Sequence, residues 1–362
     1  MNLKDIANIR LYSQQIAGTK THVPKEMVGW MGAIQAQDYH MAKWALGARL
    51  PNSTDKEIET AIDKGQIIRT HLMRPTWHLV SAEDIYWMLE LTAPHIKPAM
   101  NSNNRLLGLN DKIFSTCNKI IEKALEGGNH LTRDELMTIL NKAKISTESF
   151  RSIHIMFHAE LDGIVCNGIR RGKNSTYALL SERVPKKKIL PREEALAKLA
   201  KTYFTSHCPA TIKDFIWWSG LPVKDARNAL EMVKSNFISE IIGSETYWFT
   251  NSFSLLQKHK SSVYLLPAFD EFLISYKDRS ASFPLGNHKK AFTSNGIFRP
   301  VIVINGHVTG IWKRTIKKDT VLIDVDLFQP HNKAMKILIE ESALCFGSFL
   351  DKRIEIKYST SR

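Results

Sequence analysis

Gln35-Ala36-Gln37-Asp38 sets two amides and a carboxylate within four positions, downstream of the apolar residues Met27, Val28, Met31 and Ile34. An amide oxygen can hold a water or face a developing positive charge through its dipole, but a neutral amide cannot deprotonate the water. The spacing raises an obstacle to joint action, because residues two apart on a regular helix point in roughly opposite directions. If both glutamines meet one substrate, the helix expected over 24–34 must end or distort at the motif. The alternative is that one glutamine caps backbone and the other is solvated. Asp38 fits a base, an orienter of a glutamine or a surface residue, and the last two are preferred.

Other groupings carry less chemistry. His154 and His158 are four apart on an expected helix, a metal-compatible spacing, yet neither a third ligand nor a motif accompanies them, so no metal site is expected. A Gly-rich phosphate loop, His-Glu-x-x-His and Gly-x-Ser-x-Gly are all missing, which leaves nucleotide hydrolysis, zinc peptidase and α/β-hydrolase readings without support. Cys117, Cys166, Cys208 and Cys345 stand singly, without a Cys-x-x-Cys pair, so a zinc knuckle or a small disulfide framework is not expected.

The elements that must position the motif follow a repeating order. Helices are expected over 2–17 and 24–34, and a short one from Ser53-Thr54 that Gly65 stops, followed by strands over 67–72 and 76–80 around Met73-Arg74-Pro75. Thr132-Arg133-Asp134-Glu135 has the form of a capping box and opens a second helical pair, which ends in a hairpin whose tip is Ile169-Arg170-Arg171-Gly172-Lys173-Asn174. A third copy starts with Thr211 as the cap of a helix carrying Phe215, Trp217 and Trp218, continues over 223–234, and closes as a hairpin around Gly243-Ser244. Two angled helices plus a hairpin is the composition of a winged-helix module.

Beyond the Pro-flanked connector Lys186-Lys187-Lys188, strand-like runs separated by turns such as Asn305-Gly306 predict a small β-barrel or sheet with a last helix over 332–344 and a basic tail. The expected architecture is therefore α+β, with winged-helix units over 1–100, 101–185 and 190–256 and a barrel-like region over 257–362. At 362 residues the chain exceeds one ordinary core. Lys and Arg number 50 against 36 Asp and Glu, a formal charge of +14 that favours a polyanionic partner. The absence of a long uninterrupted apolar run, and an amino terminus unlike a signal peptide, predict a cytoplasmic protein away from membranes.

Several segments in order bring a resemblance. Gln35-Ala36-Gln37-Asp38, Arg74-Pro75-Thr76-Trp77-His78-Leu79, Leu265-Leu266-Pro267-Ala268-Phe269-Asp270-Glu271-Phe272 with Tyr276-Lys277-Asp278-Arg279, and Phe298-Arg299-Pro300 through Gly310-Ile311-Trp312-Lys313-Arg314 together resemble the AlkZ-type winged-helix DNA glycosylases. The resemblance implies a clamp of tandem winged helices with a β-barrel that removes alkylated purines from DNA, including some interstrand crosslinks. It also implies a Gln-x-Gln catalytic signature, carried here by Gln35 and Gln37.

The expectation is a monofunctional glycosylase acting on damaged double-stranded DNA, with no cofactor and no obligate protein partner. Its catalytic residues are Gln35 and Gln37, with Asp38 as a possible orienter. Arg74, Arg170, Arg171, Lys173, Arg299, Lys313 and Arg314 are the DNA-binding candidates. Trp77 and His78 either probe the lesion or pack in the core, and core packing is expected for Trp77, Trp217, Trp218 and Trp312. A non-catalytic winged-helix regulator is the main rival, and a hydrolase of free nucleosides the third reading.

Overall fold

A computed structural model of the chain describes residues 1–18, 20–186, 190–251, 261–283, 288–330 and 332–359. Lys187, Lys188 and the expected boundary between 256 and 257 lie outside the described residues. The chain builds a helix, strand, helix, helix, hairpin order twice and repeats it a third time without the strand. The first unit comprises helix Pro24–Met31, strand Ala33–Gln35, helices Tyr39–Gly47 and Asp55–Asp63, and strands Ile67–Leu72 and Thr76–Ser81. The second comprises helix Asp111–Leu125, strand Leu131–Thr132, helices Arg133–Lys142 and Arg151–Leu161, and strands Val165–Asn167 and Thr176–Leu179. In both, the hairpin's last strand lies in the middle of the three-stranded sheet. The third unit runs through helices Arg192–Ser206, Ile212–Ser219 and Val223–Val233 to strands Ile238–Ile242 and Glu245–Phe249. There a single bridge between Ala210 and Trp248 replaces the first strand.

Helix starts follow local chemistry. Thr54, Thr132 and Thr211 each cap a helix while the acid three residues on, Glu57, Glu135 or Asp214, returns a bond to the cap's own N–H. The helix expected over 24–34 stops at Met31. Gly32 takes φ 75°, a conformation that costs a glycine little, and a Cβ there would lie 3.0 Å from Thr202 Cγ2. Helix Ile85–Ala99, which links the first two units, and helices Asp111–Leu125 and Arg192–Ser206, which open the second and third, were not among the expectations.

The carboxy-terminal region corrects the barrel reading. Strands Val263–Leu266, Val301–Ile304, His307–Ile316, Thr320–Leu327 and Arg353–Ser359 lie side by side in that order as an open five-stranded sheet. Asn305 and Gly306, at φ 50° and 81°, make the tight turn expected of them. The last strand, expected as a basic tail, pairs parallel with Thr320–Leu327. A parallel pair needs a crossover, supplied by the 18-residue helix Lys333–Leu350, which packs against both the first and the last strand of the sheet. With the helix bridging those two edge strands, they do not meet to close a barrel.

Two cores meet at the first sheet. Ala33, Ile68 and Val80 pack with Tyr203, Phe215 and Trp218 of the third unit. Ile34, Ala36 and Leu79 pack on the other face with Trp44, Trp312 and Phe346, which joins the first unit to the carboxy-terminal sheet.

A buried ion pair fastens this junction. Arg49 and Asp270, both with fully buried side chains, form paired bonds of 2.8 and 2.9 Å. The remaining guanidinium donors go to Gln14 O, Gln14 Oε1 and Ala45 O at 2.8–3.0 Å. Removing one partner of such a pair strands a charge away from water. Asp270→Ala is expected to destabilise the protein by about 3–5 kcal/mol in urea unfolding, and Arg49→Met added to it to recover part of that loss. A fully stable Asp270→Ala protein contradicts this role.

Candidate active site

The motif does not sit on a helix. Ala33–Gln35 is a strand paired antiparallel with Thr76–Ser81, with Gln35 opposite His78, and the ladder continues as Ala36 N–H donates to Trp77 O at 2.7 Å. Successive side chains of a strand face opposite ways. Ala33 packs in one core while Ile34 and Ala36 pack in the other, so Gln35 falls on Ala33's side, and Gln37 lies in the bend that follows the strand. The helix ends before the motif, so the opposed directions that a regular helix would impose on the two glutamines do not apply.

The two amides sit in different surroundings. Gln35 is only 8% exposed, its N–H donates to Glu271 Oε1 at 2.7 Å, and its Oε1 accepts from Arg74 Nη2 at 3.2 Å. Gln37 is exposed and its amide has no hydrogen bond among the described residues. Asp38 bonds to neither glutamine. Its Oδ1 caps helix Tyr39–Gly47 through Met41 N–H at 3.1 Å, and its Oδ2 lies 3.4 Å from Arg314. Direct orientation of a glutamine by this carboxylate is therefore not what the geometry offers.

Beneath Gln35 lies a set of buried polar groups. Glu271 Oε2 accepts from Trp218 Nε1 at 3.2 Å and from Ser275 Oγ. Burial pushes the Glu271 carboxyl above its ordinary range, opposed by the Ser275 bond, by Arg74 and by the Gln35 N–H. His78 is fully buried, and its Nδ1 lies 2.9 Å from Thr76 O. A carbonyl only accepts, so Nδ1 carries the proton and Nε2 is a lone-pair acceptor, here without a partner among the described residues. His78 thus packs in the core. Burial first, then the charge of Arg74, pushes its pKa down to about 3.

The expected DNA-contacting residues are distributed unevenly. Arg170 is half-buried, with its guanidinium 4.8 Å from the Tyr39 ring, whereas Lys173 is exposed on the same hairpin. Arg171 is exposed but paired with Glu135. Arg299 is exposed beyond the motif. Lys313 and Arg314 are neighbours on one strand and so face opposite ways, and it is Arg314 that meets Asp38. Arg74 is half-buried at Gln35.

Between the first unit and the second hairpin lies a cleft of about 400 Å³ lined by Tyr39, Arg69, Trp77, Arg133, Arg170 and Lys173, among others. Arg69 stacks 4.0 Å over Trp77 and bonds Ala36 O at 3.0 and 3.1 Å, so the cleft abuts the motif's backbone. Arg69 and Arg133 were not among the expected contacts.

Trp217 corrects another expectation. It is 37% exposed, with Nε1 donating to Ile274 O at 2.8 Å and with Lys277, Arg279 and Arg74 at 4.8, 5.5 and 6.0 Å from its ring. Its neighbour Trp218 takes the buried position, because adjacent helical residues point about 100° apart. Lys277 and Arg279 belong to the family-like run Tyr276-Lys277-Asp278-Arg279, the one signal that could have drawn attention to them.

His154 and His158 are occupied. Asn104 bonds His154 Nδ1 at 2.6 Å and His158 Nε2 at 3.0 Å, and His158 stacks on Phe114. Among the described residues no group of His, Cys, Asp and Glu could hold a metal, and no helix is long and apolar enough to cross a membrane.

His78 gives a pH dependence. Its folded pKa is lowered from 6.5 to about 3, so the unfolded chain binds the proton first on acidification. Stability from this group is complete above the unfolded value and is lost as pH falls toward the folded one. His78→Asn is expected to remove one proton's worth of slope, about 1.4 kcal/mol per pH unit, from urea unfolding compared between about pH 6 and about pH 4. An unchanged slope contradicts a neutral buried imidazole.

Comparison with known proteins gives a consistent result. The family model described as DNA glycosylase AlkZ-like matches residues 28–347. The "Interstrand DNA cross-link repair glycosylase" of Streptomyces sahachiroi is 24% identical over 306 residues, covering 80% of this chain and 81% of its own. The solved structure of Streptomyces sahachiroi DNA glycosylase AlkZ superposes with a TM-score of 0.82 at 18% identity, covering 99% of this chain and all of that one. The mixed α/β fold is shared across nearly the whole length.

Proposed function

The chain belongs to the AlkZ-like DNA glycosylase family, and from that premise we propose that Gln35 and Gln37 form its catalytic centre and act on alkylated, cationic purines, interstrand crosslinks included. The chain is a DNA repair enzyme, a hydrolase of the N-glycosidic bond. The regulator reading is not favoured. The observation that supports the proposal is that the helix ends before the motif, leaving Gln35 at the end of the strand Ala33–Gln35 with its amide at Arg74 and Gln37 exposed two residues on.

The chemistry suits neutral side chains. Alkylation at N7 or N3 places a positive charge on the purine, which then leaves without a strong general acid. What remains is to stabilise the developing oxocarbenium sugar and to position a water, both within reach of amide oxygens. Gln35 Oε1 has two lone pairs, one directed at Arg74 and the second free for the sugar or the water. Gln37, exposed and unbonded, is the amide free to hold the water. No metal or organic cofactor is asked for.

The three repeated units are read as winged helices, and the basic cleft between the first and second as a path for the DNA backbone. Lys173, Arg170, Arg171, Arg299, Lys313 and Arg314 are assigned to DNA contact, with Arg171 and Arg314 already sharing charge with Glu135 and Asp38. Double-stranded DNA is the partner, and the cytoplasm the place of action.

Gln35→Ala and Gln37→Ala are each expected to slow single-turnover release of N7-methylguanine by about a hundredfold, with duplex affinity little changed. Wild-type rates from Gln37→Ala would remove it from the reaction. Lys173→Ala is expected to weaken duplex binding and reduce the salt slope of affinity by about one, while leaving the rate at saturating protein unaltered. An unchanged salt slope takes Lys173 off the backbone path.

A further inference from the structure

We propose that Arg74 is a positioning residue for Gln35, fixing the orientation of its amide, and not a contact to DNA phosphate. The proposal rests on the reading of Gln35 as a catalytic amide. A guanidinium carries only donors, so the Gln35 atom 3.2 Å from Arg74 Nη2 must be the oxygen. The terminal torsion of a glutamine is otherwise broad and roughly two-fold, so without this bond oxygen and nitrogen exchange places freely. An exchanged amide presents donors where the sugar develops positive charge, which opposes the reaction. Arg74 therefore decides the sign of the dipole that Gln35 presents.

The surroundings hold Arg74 to that task. It follows Met73, a buried residue at φ 60°, a conformation that a side chain rarely adopts and that surrounding structure must enforce. Gly220 of the third unit lies against this turn, where a Cβ would come within 3.0 Å of Met73 O and 3.4 Å of Arg74 Cγ. The Arg74 side chain is thus confined between its own hairpin and the third unit. Its Nε is sealed from solvent and has no partner among the described residues. Burial lowers the Arg74 pKa, opposed by Glu271, and the same Glu271 accepts the Gln35 N–H at 2.7 Å, so the backbone and side chain of Gln35 are held by two partners that also face each other. A phosphate contact would want this guanidinium in the open, as Lys173 is.

The test compares Arg74→Met, Arg74→Lys, Gln35→Ala and the double variant Arg74→Met/Gln35→Ala in single-turnover release of N7-methylguanine, together with duplex affinity at several salt concentrations. Arg74→Met is expected to lower the rate constant by about a hundredfold, with duplex affinity and its salt slope as in the wild type, and Arg74→Lys to recover part of the rate through its remaining donors. The double variant is expected to be no slower than Gln35→Ala alone, because Arg74 acts only through that amide. If Arg74→Met fails to fold, Arg74→Lys decides through the same rate and salt measurements, its expected result being an intermediate rate at an unchanged salt slope.

A wild-type rate in an Arg74 variant, rate losses that multiply in the double variant, or a salt slope reduced by about one overturns the proposal. Full activity in Gln35→Ala overturns instead the assignment of Gln35 on which it rests, so the two failures are told apart.

Discussion

The Arg49–Asp270 pair is the constraint on which the geometry around the motif depends. Two full charges are held out of water, tolerable because the guanidinium finds an acceptor for every donor, from Asp270, Gln14 and Ala45. Asp270 also caps the turn Glu271–Ile274 through Phe272 N–H at 2.8 Å. Fixing Asp270 therefore fixes its neighbour Glu271, whose carboxylate reaches the backbone of Gln35. Residues more than two hundred positions apart along the chain meet at this point, and the motif inherits its placement from them.

Around that anchor the molecule separates rigid from open groups. Gln35 is held by Glu271 and Arg74, and Glu271 is held in turn by Trp218, which packs with Tyr203 and His207. Gln37 stands toward solvent, as does Trp217, whose ring has Lys277 and Arg279 beside it. Such a division suits a reaction on a large substrate, in which one amide must be preorganised before binding while other groups meet the incoming duplex. Individual cations are committed to ion pairs, as Arg171 is with Glu135, while the excess of +14 is what remains after every acid is counted.

Much of the fold was legible locally. The capping boxes at Thr132 and Thr211 and the turn at Asn305-Gly306 are short-range chemistry, complete within a few residues, and the elements they imply are present. The strand Ala33–Gln35 was not legible, because three residues carry no periodicity and only pairing with Thr76–Ser81 makes them a strand. The carboxy-terminal strand Arg353–Ser359 was legible and was missed: Ile354, Ile356 and Tyr358 alternate with Glu355 and Lys357, and only its parallel partner was beyond local reading. Trp217 and Trp218 look alike in sequence, and their opposite fates follow from which helix face meets the core.

By itself the sequence determined the chemical inventory: two amides and a carboxylate in one short run, abundant positive charge, a threefold helix and hairpin order, and ordered segments that resemble one family. Whether the two amides could work together was outside its reach, since the answer depends on backbone conformation that a distant hairpin imposes. Tertiary structure met one condition for it by ending the helix at Met31 and placing Gln35 in a three-residue strand, with Gln37 in the bend beyond. It likewise moved Arg74 from the expected surface to the side of Gln35 and tied Asp38 to a helix cap and Arg314. Partner choice for a polar side chain is a long-range property, set by which groups the packed cores bring within hydrogen-bonding distance.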